Sequence, residues 1–248
     1  MTTARVSNNP YPEYKAFQPV ASSLLRKIRD VVAKIFHDVW VTAFSYFGKV
    51  NVQRNNQNLT PEAIAACDQL QRTRTLTQTA IIEYGRVLEK NSRVQLVQEG
   101  LFGLNPPRNV RDGKRFLAIP FVLKGWFEDH IVAMYFDREK NTLEYFDSKG
   151  LTIRDRNDSR LNAFIKKVLD NYGTDKDKTT VIENTKKHQW DCHNCGAYVL
   201  SYFRLRKEGS DIESTPVFLA FNVNTFLRRQ LIEEIEQLYQ SNAASVAV

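Results

Sequence analysis

Three runs of aromatic and β-branched residues in the middle of the chain constrain its fold more than any other feature. Arg115–Val122 (RFLAIPFV), His130–Phe136 (HIVAMYF) and Thr142–Phe146 (TLEYF) each have the length and composition of a β-strand. The polar segment Asp137–Asn141 lies between the second run and the third, where a turn is expected. Residues 130–146 are therefore predicted to form a hairpin next to a third strand.

Helical patterns flank these strands on both sides. Apolar residues recur at helical spacing over Val20–Phe47, and a second helical pattern runs from Thr60-Pro61-Glu62 to about Leu96. Threonine is a good helix cap and proline suits the first turn. Downstream, the predicted elements are helices over 158–172, Gly196–Lys207 and Thr225–Gln240, and a short strand over Thr179–Ile182. This order predicts an α+β protein with a small central sheet flanked by helices, plus a helical N-terminal region.

The composition limits the classes of function. The 248 residues are 42% hydrophobic and 25% charged, as in ordinary soluble globular proteins. The net charge is +7, but the basic residues form no long run and do not alternate with aromatic residues as in an RNA-binding sheet. The longest early apolar run, Val39–Gly48, is too short to cross a bilayer. We therefore expect a soluble protein with no nucleic-acid partner and no membrane span.

The segment His188–Tyr198 (HQWDCHNCGAY) concentrates reactive side chains. Four possible metal ligands lie in it: His188, Cys192, His193 and Cys195. Structural zinc usually joins two separated ligand pairs, and neither Cys67 nor His37 has a paired neighbour. We therefore predict no metal and no other cofactor. A zinc cluster here, or a redox pair in the Cys-x-x-Cys spacing, remains an alternative.

The same segment suits a cysteine nucleophile. Cys195 directly precedes a predicted helix, and the amino end of a helix lowers the pKa of a thiol. A nucleophile of this kind needs a base, an orienting group and donors for the oxyanion. His130 begins one strand of the predicted hairpin, and Asp147 follows the other. Gln189 stands six residues before Cys195, where its amide can join the Cys195 N–H as an oxyanion donor.

These residues resemble a known family. The run AIPFVLKGWFEDHIVAMYFDREKNTLEYFDSKG (118–150) and the order His130, Asp147, Gln189, Cys195-Gly196 are similar to the clan CE cysteine proteases. This clan includes SUMO and NEDD8 proteases, adenovirus protease and bacterial deubiquitinase effectors, and its glutamine and cysteine follow a Q-x5-C-G pattern. The resemblance covers about residues 115–207. It implies a papain-like-clan cysteine protease core over 101–248 and does not extend to 1–100. That helical N-terminal region is a candidate for binding substrate or for regulation.

Two positions depart from the family pattern. Family members commonly carry tryptophan directly after the catalytic histidine, where it forms part of a tunnel for a Gly-Gly tail, and this chain has Ile131. They usually carry aspartate before the nucleophile, where this chain has Asn194. These departures concern recognition of the substrate more than the chemistry.

Two tryptophans and an acidic pair near these residues in the sequence are predicted to bind the substrate. Trp126 or Trp190 is expected to cover the tail in place of the missing tryptophan. The tail of ubiquitin carries arginines before Gly-Gly, and the acidic pair Glu128-Asp129 is expected to bind them.

The resemblance implies a cysteine isopeptidase or peptidase that cleaves after the C-terminal Gly-Gly of ubiquitin or a ubiquitin-like modifier. Its expected partners are that modifier and its conjugates. An acyl (acetyl) transferase of the same clan is an alternative, although such enzymes commonly use glutamate where this chain has Asp147. A catalytically inactive module that binds a ubiquitin-like protein is a second alternative.

Three cysteines predict a reducing, cytoplasmic place of action. The acidic stretch and small residues of IEEIEQLYQSNAASVAV also resemble bacterial effectors exported into host cells.

Overall fold

A mixed five-stranded sheet lies at the centre of the part of the chain that the computed structural model describes. The described residues are 58–72, 75–125, 129–174, 178–189, 193–212 and 226–246, with side chains to residue 243. The elements are α1 (Pro61–Gln71), α2 (Gln78–Glu89), β1 (Val94–Leu96), a 3-10 helix (Gln98–Leu101), β2 (Phe116–Leu123), β3 (His130–Asp137), β4 (Thr142–Phe146), α3 (Ile153–Arg156), α4 (Ser159–Tyr172), β5 (Thr180–Glu183), α5 (Cys195–Lys207) and α6 (Arg228–Val246). The helix predicted over Val20–Phe47 lies outside the described residues.

The sheet has its strands in chain order, β1-β2-β3-β4-β5. The three central strands are antiparallel, and β1 and β5 pair in parallel with their neighbours. The predicted hairpin is confirmed, with Ala133 opposite Phe146 in the β3–β4 ladder. Continuing that register by one residue places Asp147 opposite Val132. Asp147 is therefore a diagonal neighbour of His130 on the same face of the sheet.

Helices cover both faces of this sheet. The side chains of β3 alternate between two hydrophobic clusters, as the two-residue period of a strand requires. Ile131, Ala133 and Tyr135 pack with residues of α1, α2, α5 and α6. Val132, Met134 and Phe136 pack with residues of α4. Burial on both faces explains why β3 is a continuous apolar run, and the predicted α+β architecture is confirmed.

The first helices follow the sequence signals only in part. Thr60 caps α1 as predicted, because its side-chain oxygen accepts a hydrogen bond from the backbone N–H of Ala63 at 3.2 Å. The prediction of helix as far as Leu96 is wrong, since α2 ends at Glu89. Asn91 then adopts a left-handed conformation, with φ 47°, that turns the chain. The next residues pair with β2 as a strand, so the pairing partner overrides the helical pattern.

Arg228, the first residue of α6, joins the ends of three helices. Its side chain is fully buried. Its Nε and Nη2 donate to Oδ1 of Asn194, the residue before α5, at 2.9 and 2.8 Å. Its Nη1 donates to the carbonyl of Arg72, the residue that ends α1, at 2.7 Å. This guanidinium therefore holds the carboxyl end of α1 against the amino end of α5.

Replacing Arg228 by Met should lower the free energy of unfolding by about 3 kcal/mol, because hydrogen bonds to a buried charged group each contribute about 1.5–3 kcal/mol. The matched control is Arg229→Met. Arg229 is exposed and pairs with Glu233 at 2.8 Å within the same helix, an interaction worth about 0.5 kcal/mol or less. Urea unfolding of both variants measures the difference. Equal losses of unfolding free energy in the two variants would show that Arg228 does not hold the helix ends together.

Candidate active site

His130 and Asp147 form a buried pair at one end of the sheet. His130 is the first residue of β3 and Asp147 directly follows β4, so the hairpin itself brings them together. The His130 Nε2 lies 2.9 Å from the Asp147 Oδ1. The Asp147 side chain is fully buried, and that of His130 is 8% exposed. The predicted base and its predicted orienting group are therefore in direct contact.

Asp147 is held by several further groups, some at its backbone and some at its carboxylate. The backbone N–H of Asp147 donates to Oδ1 of Asn184 at 2.7 Å, and the Asn184 amide donates back to the Asp147 carbonyl at 3.0 Å. The backbone N–H of Lys149 donates to Asp147 Oδ1 at 2.8 Å. On the opposite side, the guanidinium of Arg156 forms an ion pair with Oδ2. These contacts fix the direction in which Oδ1 faces His130.

Burial and charge move both pKa values downward. Burial is the largest influence on His130 and lowers its pKa below 6.5; Asp147 opposes this shift, and the charges of Arg156 and Lys149 add to it. Burial alone would raise the pKa of Asp147, but its hydrogen bond to His130, with the charges of His130 and Arg156, holds that pKa below 3.8. At neutral pH, the pair is therefore a neutral imidazole beside a carboxylate.

Cys195 is the first residue of α5, where the helix dipole and the amide groups of the first turn favour a thiolate. The preceding Asn194 does not cap this helix with its side chain. Its Oδ1 instead accepts both hydrogen bonds from Arg228 described above. The amino end of the helix thus points its partial positive charge at the buried cysteine without a competing side-chain cap from Asn194.

The histidine of the buried pair and the cysteine at the start of α5 both line a cavity of about 290 Å³. His130 and Cys195 line it, with residues from the start of α2, from β2 and from the segment before α2. The lining residues are Thr75, Leu76, Thr77, Gln78, Thr79, Ile81, Leu101, Val122, Lys124, Asp129, His130, Ile131 and Cys195. Within the described part of the chain, the buried Nδ1 of His130 has no hydrogen-bond partner. This nitrogen, which does not contact Asp147, is thus available to accept a proton, and His130 lines the same cavity as Cys195.

Gln189 is buried next to the loop that follows Asp147. Its Oε1 accepts a hydrogen bond from the Ser148 hydroxyl at 2.5 Å, and its backbone N–H donates to the Ser148 carbonyl at 2.7 Å. Since the Ser148 hydroxyl binds the amide oxygen of Gln189, the NH₂ group of that amide is the part that donates hydrogen bonds. Gln189 is absent from the described residues that line the cavity. Its predicted role as an oxyanion donor stays a prediction.

The predicted substrate-binding residues are described only in part. Trp126, Glu128 and Trp190 lie outside the described residues. Asp129 lines the cavity, where its carboxylate pairs with Lys124 at 2.6 Å. Both side chains are well exposed, so water and salt screen this pair. A cationic group of a substrate can compete for Asp129 at this rim.

The described residues contain no group of three or more histidine, cysteine, aspartate or glutamate side chains arranged to hold a metal ion. Cys192, one of the four possible ligands in the sequence, lies outside them. His188 packs its ring against Phe146, with ring centroids 5.3 Å apart. Among the helices of the described residues, none combines the length and apolar character needed to cross a membrane.

Sequence reasoning missed three residues that support the pair. Arg156, Asn184 and Ser148 contact Asp147 or Gln189, yet each lies in a short helix or a loop without periodicity. The only available signal was proximity to Asp147 along the chain, for Ser148 and Arg156. Asn184 is 37 residues away in sequence, and only the parallel pairing of β5 with β4 brings it close.

Comparison with known proteins identifies the fold. No protein-family model and no curated protein sequence matches the chain. Among solved structures, it resembles the C-terminal Ulp1 protease domain in complex with SMT3, the yeast ortholog of SUMO. That match has a TM-score of 0.53 and 15% identity, and covers 81% of this chain and 95% of that one. Ulp1 with its catalytic cysteine oxidised to a sulfonic acid matches at a TM-score of 0.52 with the same identity and coverage.

A bacterial effector also matches, at a lower TM-score. The Chlamydia trachomatis effector protein ChlaDUB1 has a TM-score of 0.40 and 14% identity, over 73% of this chain and 85% of that one. The fold assignment depends on the Ulp1 matches. They show that the described chain has the fold of the Ulp1 protease domain.

Acid should destabilise the fold through His130. Its pKa in the folded protein is below 6.5, the value expected in the unfolded chain, so the unfolded state binds the proton more readily. Stability should therefore fall as the pH drops below about 6.5. His130→Gln, which removes this proton site, should lose less stability over the same interval. Urea unfolding midpoints between pH 7.5 and 5.5 test this, and equal declines in both proteins would contradict it.

Proposed function

We propose that this protein is a cysteine isopeptidase or peptidase that cleaves after the C-terminal Gly-Gly of ubiquitin or a ubiquitin-like modifier. One observation carries the proposal. A buried histidine is held by a buried carboxylate through Nε2, and it lines a cavity that a cysteine at a helix amino end also lines. The Ulp1-like fold supports the same chemistry.

The proposed mechanism assigns one task to each residue. His130 accepts the thiol proton of Cys195 at Nδ1, and Asp147 keeps the imidazole oriented through Nε2. The Cys195 sulfur attacks the carbonyl of the terminal glycine. The Cys195 N–H and the Gln189 amide stabilise the oxyanion. His130 then returns its proton to the leaving amine, and water hydrolyses the acyl-enzyme by the same base.

The size and walls of the cavity favour a slender tail. A space of about 290 Å³ holds only the residues next to the scissile bond, and two glycines are the narrowest pair available. Five consecutive residues, Thr75–Thr79, contribute to its wall. This contribution supports a substrate-binding role for part of the N-terminal region 1–100. Leu76 and Ile131 add aliphatic surface where family members commonly place tryptophan after the histidine.

The charge at the rim bears on the choice of modifier. An arginine before Gly-Gly, as in ubiquitin, can displace Lys124 from Asp129, because an exposed ion pair contributes about 0–1 kcal/mol. That makes ubiquitin the first modifier to test and SUMO the second. A reducing cytosol is the proposed place of action, since a thiolate nucleophile oxidises readily. Delivery into a host cell by a bacterium stays a prediction from the sequence.

A panel of C-terminal electrophile probes tests the nucleophile and the modifier together. At least one probe should form a covalent adduct with the wild-type protein, among those built on ubiquitin, SUMO, NEDD8 and an ISG-type modifier. Cys195→Ala should form none while keeping its circular dichroism spectrum, and Cys192→Ala should keep most labelling. A dead Cys192→Ala beside a reactive Cys195→Ala would reassign the nucleophile. A wild-type protein that binds a modifier but labels with no probe would instead indicate a binding module.

Gln189→Ala separates oxyanion stabilisation from thiol activation. Loss of one oxyanion donor typically lowers turnover about 10²–10³-fold. Alkylation of Cys195 by iodoacetamide develops no oxyanion, so its rate should stay near that of the wild type. The expected result is slow cleavage of a modifier fusion with normal alkylation. Wild-type cleavage would show that Gln189 is structural, and a parallel fall in both rates would show that the substitution disturbs Cys195 itself.

A further inference from the structure

Arg156 places a positive charge directly behind the His130–Asp147 pair. Its guanidinium contacts Asp147 Oδ2, while His130 contacts Oδ1 of the same carboxylate. The Arg156 side chain is only 17% exposed, and that of Asp147 is fully buried. The three side chains thus form a continuous line from arginine through carboxylate to imidazole, and the imidazole then borders the cavity that contains Cys195.

Local structure fixes Arg156 in this position. It is the last residue of α3, which begins with a reciprocal capping box between Thr152 and Asp155. The backbone N–H of Ile153 also donates to the Glu183 carboxylate at 2.6 Å, which ties α3 to the end of β5. A capped turn anchored to the sheet presents Arg156 at a defined place, unlike a long side chain on an open surface.

The charge of Arg156 has two consequences for the pair. A buried carboxylate without favourable partners is costly, and it relieves that cost by taking up a proton; the hydrogen bond from His130 and the charge of Arg156 both oppose this by lowering the pKa of Asp147. Burial is the main cause of the lowered pKa of His130, and the same cation adds to it, so the imidazole is neutral and able to accept a proton. The charged or titratable groups around His130 are Asp147 from the end of β4, Lys149 from the following loop, Arg156 from α3, Cys195 from α5, and Lys124 with Asp129 at the cavity rim.

We infer that Arg156 is a positioning residue for this site. It holds the Asp147 carboxylate in place, with Oδ1 directed at the His130 Nε2, so that His130 accepts the proton of the Cys195 thiol at Nδ1. This inference rests on the proposed function for its catalytic meaning. Its electrostatic content, the coupling of Arg156 to His130 through Asp147, is independent of any substrate.

Kinetics of three variants provide the first measurement. Arg156→Met should lower kcat/KM for a reactive modifier fusion about 10-fold at pH 7, because the carboxylate loses one of the three groups that hold it and the base is less well placed. Arg156→Lys keeps the charge and should recover part of that loss. The matched control is Arg154→Met, on the same short helix but exposed, which should cleave at the wild-type rate. A wild-type rate in Arg156→Met would overturn the inference.

The titration of His130, followed by NMR in a Cys195→Ala background, measures the coupling without any substrate. Arg156→Met should raise the pKa of His130, since it removes a repelling cation while the hydrogen bonds from His130 and the Lys149 N–H keep the Asp147 carboxylate ionised. Arg156→Lys and Arg154→Met should titrate close to the parent protein. If Arg156→Met does not fold, Arg156→Gln carries the same expectation, because it keeps a donor and loses the charge. An unchanged pKa of His130 in a folded variant that lacks the charge of Arg156 would overturn the inference.

The two measurements also separate this inference from the proposed function. If no modifier probe or fusion reacts with the wild-type protein but His130 shifts as expected, the proposed function fails and the coupling holds. If the wild-type protein cleaves a modifier fusion and Arg156→Met neither shifts His130 nor slows cleavage, the proposed function holds and the role of Arg156 fails.

Discussion

The burial of one carboxylate governs the geometry of the whole candidate site. Asp147 has no exposed surface, so its charge has to be satisfied by other groups of the protein. His130, Arg156 and the Lys149 N–H do this from different directions. Their positions come from β3, α3 and the loop after β4, which means that three separate parts of the chain have to be in place before the pair forms. Asn184 anchors the backbone at the same point.

A second buried group joins the end of α1 to the start of α5. Arg228 binds the carboxyl end of α1 and the residue before α5, which places the segment after α1 close to Cys195. Leu76 in that segment packs on Gly196, where an added Cβ would lie 3.0 Å from the Leu76 Cβ. Glycine in a helix costs about 1 kcal/mol relative to alanine. This close approach is a physical reason for a glycine directly after the cysteine.

The fold and the chemistry make different demands on the sequence. At 15% identity to Ulp1, most side chains differ, yet the sheet and its flanking helices keep the same arrangement. Hydrophobic periodicity tolerates such change because any apolar residue of suitable size fills a core position. The chemical groups tolerate much less, since a base, its carboxylate and a thiol have to meet within hydrogen-bond distances. A few residues in the right order can therefore indicate a protein family when overall identity is low.

The sequence by itself determined four of the five strands, most helices and the candidate chemical groups. The aromatic and β-branched composition of β2, β3 and β4 is a local property, and so are the cap at Thr60 and the position of Cys195 before a helix. Tertiary structure alone decided that Val94–Leu96 is a strand, because a strand this short forms only where β2 offers a partner. It also decided that Arg156 and Asn184 serve Asp147, and that Thr75–Thr79 line the cavity. These contacts join residues far apart or without periodicity, and their energy appears only when packing removes the charges and polar groups from water.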